Sequence, residues 1–366
     1  MSAELQAWRS AGAGRETAPS PTGVARVPDA EGAAAWLLEQ AAVSVASVAP
    51  ATATSRPDRQ TGRQTGQKAL RWAAATVAAA LAFVAVPQWA SDYWLSAILI
   101  PFLVLSLAGL GLNLLTGYAG QLSVGSAAFM AVGAFATYNF ALRVPGLPLL
   151  GAIALGGGVA ALLGALFGLP ALRIRGFYLI VSTLAAQFLI QWVLVKFSWL
   201  SNDSASGVIT APPLVVAGVH LDHPAGRYLL TLSIVAVLTL LARNLVHSAT
   251  GRRWQAVRDH ETAAALMGVP VGATKVLAFA ISSFYLGVAG ALWAFAYLGT
   301  VEPHGFDLTR SFEVLFIAIL GGLGSLSGAF LGAAVIGLLP IGLSLACDAG
   351  LGGAIDPGQL QNLQKI

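Results

Sequence analysis

Cysteine and charge are what this 366-residue sequence has least of. Its one cysteine, Cys347, excludes a disulfide within the chain and a metal centre built from several thiolates. Charged residues are 10% of the total, against about a quarter in soluble domains. That leaves too little polar surface to cover its apolar helices in water. A phosphate-binding G-x-x-x-x-G-K-[ST] loop is missing: the nearest approach, Gly62 to Lys68, lacks both the spacing and the hydroxyl. No H-E-x-x-H and no G-x-S-x-G occurs, so the zincin and nucleophile-elbow patterns are both absent. Paired carboxylates deep in an apolar run are also lacking, since Glu313 lies near a run's end. That argues against a proton- or sodium-coupled carrier, whose ion sites commonly use such groups. The formal net charge of +4 gives no basis for a nucleic-acid partner.

What is present is apolar length. Hydrophobic residues are 57% of the chain, and several runs reach the roughly 20 residues that cross a bilayer. The fold class is therefore an all-α integral membrane protein, a polytopic bundle of about nine transmembrane helices with Gly-broken segments. The expected spans are Ala69–Val86, Trp94–Leu115, Leu122–Leu142, Leu149–Leu172, Gly176–Phe197, Tyr228–Val246, Val276–Leu298, one from Phe312 into G-G-L-G-S-L-S-G, and Ala329–Ala346. Residues 1–67, rich in Ala, Ser, Thr and Pro, read as a disordered cytoplasmic extension. Residues 68–346 form the transmembrane domain, and 347–366 a polar tail.

Charge placement orients the chain. Lys68, Arg71, Arg173, Arg175, Arg243, Arg252, Arg253, Arg258 and Lys275 fall on one set of connections. The other set holds mainly Arg143, Arg227 and Arg310, beside Asp92, Asp203, Asp222, Glu302 and Asp307. The positive-inside bias puts the first set, and the N-terminus, in the cytoplasm. The cytoplasmic loop 248–275 then stands out as a polar island. Ser248 or Thr250 can cap a helix there, Gly268 and Pro270 can stop it, and Trp254, Val257, Ala264 and Met267 share one stripe.

Two further groups of polar residues lie within or beside the spans. Asn113, Thr116, Gln121, Ser123 and Ser126 surround the second turn, and Thr183, Gln187 and Gln191 repeat along one face of the fifth span. Polar groups at membrane depth face protein or water, so the readings are a translocation path or interhelical hydrogen bonding. Gly117, Gly120, Gly125 and Gly133 in one region, and Gly321, Gly322, Gly324 and Gly328 in another, allow broken helices in comparable places of the two halves. His220, Asp222 and His223 have plausible metal spacing in a loop, where such patterns are usually incidental; no metal is expected.

Four stretches in order carry a resemblance: Gly111–Phe129, Gly251–Gly268, Lys275–Ala294 and Gly321–Ala333. They are similar to the membrane permease subunits of branched-chain amino acid ABC transporters, over about residues 69–346. The resemblance implies a bacterial inner-membrane, multi-pass importer subunit rather than an enzyme. It implies as partners a second permease subunit in a heterodimer, two cytoplasmic ATPase subunits that use ATP, and a periplasmic substrate-binding protein. No cofactor is expected on this chain. In that family the loop before the seventh span docks on the ATPase, which assigns Trp254, Val257, Glu261, Ala264 and Gly268 to coupling. The match has departures. Glu261 stands one residue too far from Gly268 for the general importer loop pattern, and Gln187 replaces a residue that is often acidic. The family also continues into one further apolar span beyond the polar tail. Urea or short amides are the alternative substrates, and a self-sufficient carrier the alternative class.

Overall fold

Glycine and alanine line the places where the helices of this protein touch most closely. The computed structural model describes residues 83, 86–89, 91–172, 176–201, 208–212, 214–216, 219–220 and 223–350. The chain divides into Met1–Trp72 and Ala73–Ile366, and every described residue belongs to the second unit. The extension 1–67, Lys68, Arg71, Arg173, Arg175, Asp203, Asp222, the tail beyond 350 and nearly all of the first expected span lie outside the described residues.

Ten helices carry the architecture described here. Helix α1 spans Trp94–Tyr118 and is wound as a π-helix at both ends, Trp94–Leu99 and Leu114–Tyr118. Next come α2 (Ser126–Arg143), α3 (Leu149–Gly168) and α4 (Phe177–Lys196). Short strands β1 (Ile209–Thr210), β2 (Val215–Val216) and β3 (Val219–His220) precede α5 (Pro224–His247). The polar island forms α6 (Ala249–Asp259) and α7 (Glu261–Leu266). Helix α8 (Val271–Leu292) continues as a π-helix to Leu298, and β4 (Thr300–Val301) follows. The last two are α9 (Leu308–Gly321) and α10 (Leu326–Gly350). Strand β1 pairs antiparallel with β4, and β2 with β3.

Helices α2, α3 and α8 form the centre, each packed along the other two. Their approach is closer than any side chain allows. A Cβ on Gly133 of α2 would overlap the backbone of Gly287 on α8, and one on Gly290 would overlap the Met130 carbonyl. In lipid, where apolar burial no longer drives association, such contacts between small residues supply the van der Waals attraction. Apart from Ser106, Asn113 and Thr116, helix α1 is apolar all round through Leu103–Tyr118 and buried there, as expected of a core helix. Helix α4 buries a single stripe, Leu179, Thr183, Ala186, Gln187, Ile190 and Leu194, while Tyr178, Trp192 and Val195 stay exposed.

Five described helices are long and apolar enough to cross a membrane: Trp94–Tyr118, Leu149–Gly168, Tyr178–Lys196, Pro224–His247 and Val271–Leu298. This is fewer than the nine spans expected. Helix α2 contains Asn139 and Arg143, which lower its hydropathy, and α9 has only 14 residues. Boundaries shift for local reasons. The third expected span loses residues 122–125 to an irregular turn, whereas the seventh starts earlier and draws Lys275 into the helix.

Gly133→Val should lower the thermal midpoint in detergent, because overpacking of this kind costs about 1–3 kcal/mol. Gly158→Ala is the control: nothing lies within 4 Å of its added methyl. A Gly133→Val midpoint equal to the control's would show that the α2–α8 contact is not tight.

Candidate functional site

The chain between α1 and α2 is broken in the interior of the bundle, so the first backbone N–H groups of α2 lack helical acceptors. Side chains from two other helices supply them. Val124 N–H donates to Thr183 Oγ1 at 3.1 Å, Ala127 N–H to Ser311 Oγ at 2.9 Å, and Ala128 N–H to Gln187 Oε1 at 2.7 Å. Gly125 N–H reaches Ser123 Oγ at 3.4 Å. Gln187 sits at the centre of this cap. Its carbonyl also accepts from Ser311 Oγ at 3.1 Å, and its amide donates to the Phe306 carbonyl at 3.0 Å, which Gln191 shares at 2.9 Å. A carboxylate at 187 would accept the same bonds but leave the Phe306 carbonyl without this donor. That gives the glutamine a physical reason independent of substrate choice.

The eight polar residues singled out in the sequence therefore do not form one lining. Ser123, Ser126, Thr183, Gln187 and Gln191 gather at the start of α2. Ser126 Oγ donates to the Ser311 carbonyl at 3.4 Å. Thr116 and Gln121 close the turn locally, Thr116 Oγ1 donating to the Gln121 carbonyl at 3.2 Å and Gln121 Nε2 to the Ala119 carbonyl at 3.3 Å. Asn113 works on the far side of α1. It accepts from Gly324 N–H at 2.8 Å and donates to the Ser325 carbonyl at 2.7 Å, binding the turn between α9 and α10. All but the half-buried Gln191 are buried, and each has a hydrogen-bond partner within the protein. Hydrogen bonds within the protein, interhelical for Asn113, Ser126, Thr183 and Gln187 and local for Thr116, Gln121 and Ser123, thus engage them in this conformation.

A roomy cavity lies elsewhere. It is an apolar cleft of about 530 Å³ among α2, α3 and α4, with Asn139, Arg143 and Trp199 in its lining. A smaller pocket of about 190 Å³ joins the two candidate regions: Gly120 and Gln121 line it together with Val257, Arg258, Glu261 and Lys275.

In the polar island, Ser248 caps α6 by accepting from Thr250 N–H at 3.2 Å. The helix expected across its middle is two helices, because His260 is extended (φ −149°) between α6 and α7. Trp254, Val257 and Ala264 are buried, and Trp254 Nε1 donates to the Thr274 carbonyl at 3.2 Å. Glu261 pairs with Lys275 at 2.9 Å; the lysine is almost wholly buried. Gly268 takes a left-handed conformation (φ +80°) that ends the segment. Trp254, Val257 and Ala264 thus face this chain's own interior. Leu266 and Met267 at the tip are 91% and 84% exposed.

Two site residues carry no distinguishing signal in the sequence. Ser311 is a single hydroxyl in a short amphipathic helix, and no periodicity marks it. Arg258 looked like one charge among several, yet its Nη1 donates to the Gly117 carbonyl at 2.7 Å. The His220–Asp222–His223 group falls partly outside the described residues, and no cluster of three potential metal ligands occurs among the described ones.

Comparison with known proteins places these features in context. The family described as "Branched-chain amino acid transport system / permease component" matches residues 94–350. The chain is 32% identical over 253 residues to the high-affinity branched-chain amino acid transport system permease protein LivM of Salmonella typhimurium, covering 62% of this chain and 58% of that one. It is likewise 32% identical over 242 residues to LivM of Escherichia coli, covering 59% and 56%. The autoinducer 2 import system permease protein LsrC of an Enterobacter species is 31% identical over 182 residues, covering 48% of this chain and 50% of its own. The matched region spans just over half the length of the LivM proteins. No solved structure matches.

Gln187→Leu should destabilise the bundle by about 1–3 kcal/mol for each buried partner it leaves unpaired. Gln191→Leu should cost less, since Phe306 keeps one donor. Thermal unfolding of the two variants in detergent checks the order.

Proposed function

We propose, since the chain belongs to the branched-chain amino acid transport system permease component family, that it is a membrane permease subunit of an ABC importer for branched-chain amino acids. The observation that carries this is the extent of the family match, residues 94–350, from the first residue of α1 to the last of α10. The LivM proteins, by name branched-chain amino acid permeases, favour that substrate class. Gln187 does not favour urea or short amides, because its amide is engaged in holding α2. Its partners would be a second permease subunit, two ATPase subunits that bind and hydrolyse ATP, and a substrate-binding protein outside the membrane. The protein would lie in the bacterial inner membrane, with α2, α9 and α10 joining the five long apolar helices and the expected span Ala69–Val86 making the ninth crossing segment. Arg243, Arg252, Arg253, Arg258 and Lys275 would then mark the cytoplasmic side.

In this reading α6 and α7 are the contact with an ATPase. Trp254, Val257 and Ala264 fix the segment to the bundle, Glu261 is braced by Lys275, and Gly268 ends it. The apolar tip, Leu266 and Met267, is left to enter a partner's groove. The polar cluster at the start of α2 is the closed part of the path. Alternating access would separate α2 from α4 and α9, exposing Thr183, Gln187, Gln191, Ser123 and Ser126, with Asn113, Thr116 and Gln121 next along the route. Closure of the ATPase pair drives this only if the two states bind the tip differently.

Deletion of the gene should reduce uptake of labelled leucine, isoleucine and valine; unchanged uptake of all three would sink the substrate assignment. Ala264→Pro removes the bond from Ala264 N–H to the His260 carbonyl and costs α7 about 3 kcal/mol. It should abolish ATP-driven uptake while membrane insertion persists, and so should Glu261→Lys, which sets two cations together.

A further inference from the structure

The two glycine-rich breaks of this bundle, distant in sequence, are one object in space. A Cβ on Gly117, near the end of α1, would overlap Gly324 N in the turn between α9 and α10. Asn113 bonds both Gly324 and Ser325 from one side. From the other side a single residue of the polar island reaches the junction. Arg258 Nη1 donates to the Gly117 carbonyl at 2.7 Å, and the same nitrogen lies 3.7 Å from where a Gly324 Cβ would stand. Its Nε is held by Asp259 Oδ1 at 3.0 Å. The Gly117 carbonyl belongs to the last turn of α1, where C=O groups lack helical donors and a cation is favoured. Backbone geometry makes room for this arm. Gly120 adopts φ +68°, and a Cβ there would stand 2.7 Å from Arg258 Cγ.

We infer that Arg258 is a positioning residue that joins the ATPase-facing segment to both glycine breaks, so that movement of α6 displaces the ends of α1 and the α9–α10 turn together. The inference rests on the permease reading and assigns it a specific linkage. Trp254 anchors α6 to the start of α8, in the closely packed centre, and Arg258 is its contact with the parts that can bend. A guanidinium on a carbonyl is a charge-assisted bond, and it acts beside a turn that the backbone holds by only two bonds, Gly322 N–H to the Ile319 carbonyl and Ser325 N–H to the Gly322 carbonyl.

The test uses the complete complex, permease chains with their ATPases, in proteoliposomes supplied with the binding protein and labelled leucine. Arg258→Met keeps an unbranched stem and removes the donors; Arg258→Lys keeps the stem, a charge and a donor. The side chain is 39% exposed, so the apolar replacement is compatible with assembly. In Arg258→Met, uptake per ATP hydrolysed should fall about tenfold, the scale on which residues along a coupling route act, with basal hydrolysis unchanged. Arg258→Lys should retain most of the coupling. Gly120→Ala, which pushes the arginine stem aside, should resemble Arg258→Met. Normal coupling in Arg258→Met overturns the inference. So does equal uncoupling in the lysine variant, which would mean the donor to Gly117 is not what matters. So does a methionine variant that fails to assemble beside an assembled lysine variant, which would mark a structural role. Absence of ATP-driven leucine uptake in the wild-type complex would instead overturn the branched-chain permease reading.

Discussion

A helix that begins inside an apolar bundle must find acceptors for its first N–H groups, and that requirement shapes this protein. Without water, each unmet group costs several kcal/mol by order of magnitude. Helix α2 meets the requirement with Gln187 from α4 and Ser311 from α9, while Thr183 from α4 takes the Val124 N–H of the turn just before it. The cap does more than satisfy the backbone. It fixes α4, which buries only one stripe, against α2, and ties the loop before α9 to both through the Phe306 carbonyl. Removing this set of bonds would leave α4 attached mainly by Leu179, Ala186, Ile190 and Leu194.

Close glycine contacts and broken helices are two uses of the same residue. At Gly133 and Gly287 the missing side chain lets α2 and α8 approach until their backbones meet, which makes the centre rigid. At Gly120, Gly322 and Gly324 it permits left-handed backbone, which interrupts helices and turns the chain. The protein thus combines a tightly packed triad, α2, α3 and α8, with a flank in which α1 and α9 end irregularly. Trp254 joins the polar island to the triad, and Arg258 joins it to the flank. Membership of the branched-chain amino acid permease family fits a bundle with one fixed part and one that can yield.

Long apolar runs made the helices legible, and the described helices fall close to the expected limits. The breaks were legible too, because Gly117–Gly125 and Gly321–Gly328 interrupt those runs visibly. Partners across the bundle were not. Nothing local distinguishes Ser311, which caps another helix, from Ser327, or Arg258 from Arg253; the difference lies in what the fold brings opposite them. The stripe of Trp254, Val257, Ala264 and Met267 was correctly seen as apolar. A straight helix would have pointed it one way, however, whereas the extended His260 redirects it, leaving the first three inside and Met267 out. The charge of Lys275 suits a polar loop, yet the residue lies within α8, where its pairing with Glu261 makes burial possible.

The cap on α2 consists entirely of uncharged groups: the hydroxyls of Ser123, Thr183 and Ser311, the Gln187 amide, and backbone. Forming or breaking its bonds moves no formal charge on the bonded groups. A carboxylate or ammonium carried across the field would exchange about 2.3 kcal/mol per 100 mV with the membrane potential, whereas these dipoles exchange little. A cap built of neutral dipoles couples weakly to voltage, and it holds no group that titrates near neutral pH.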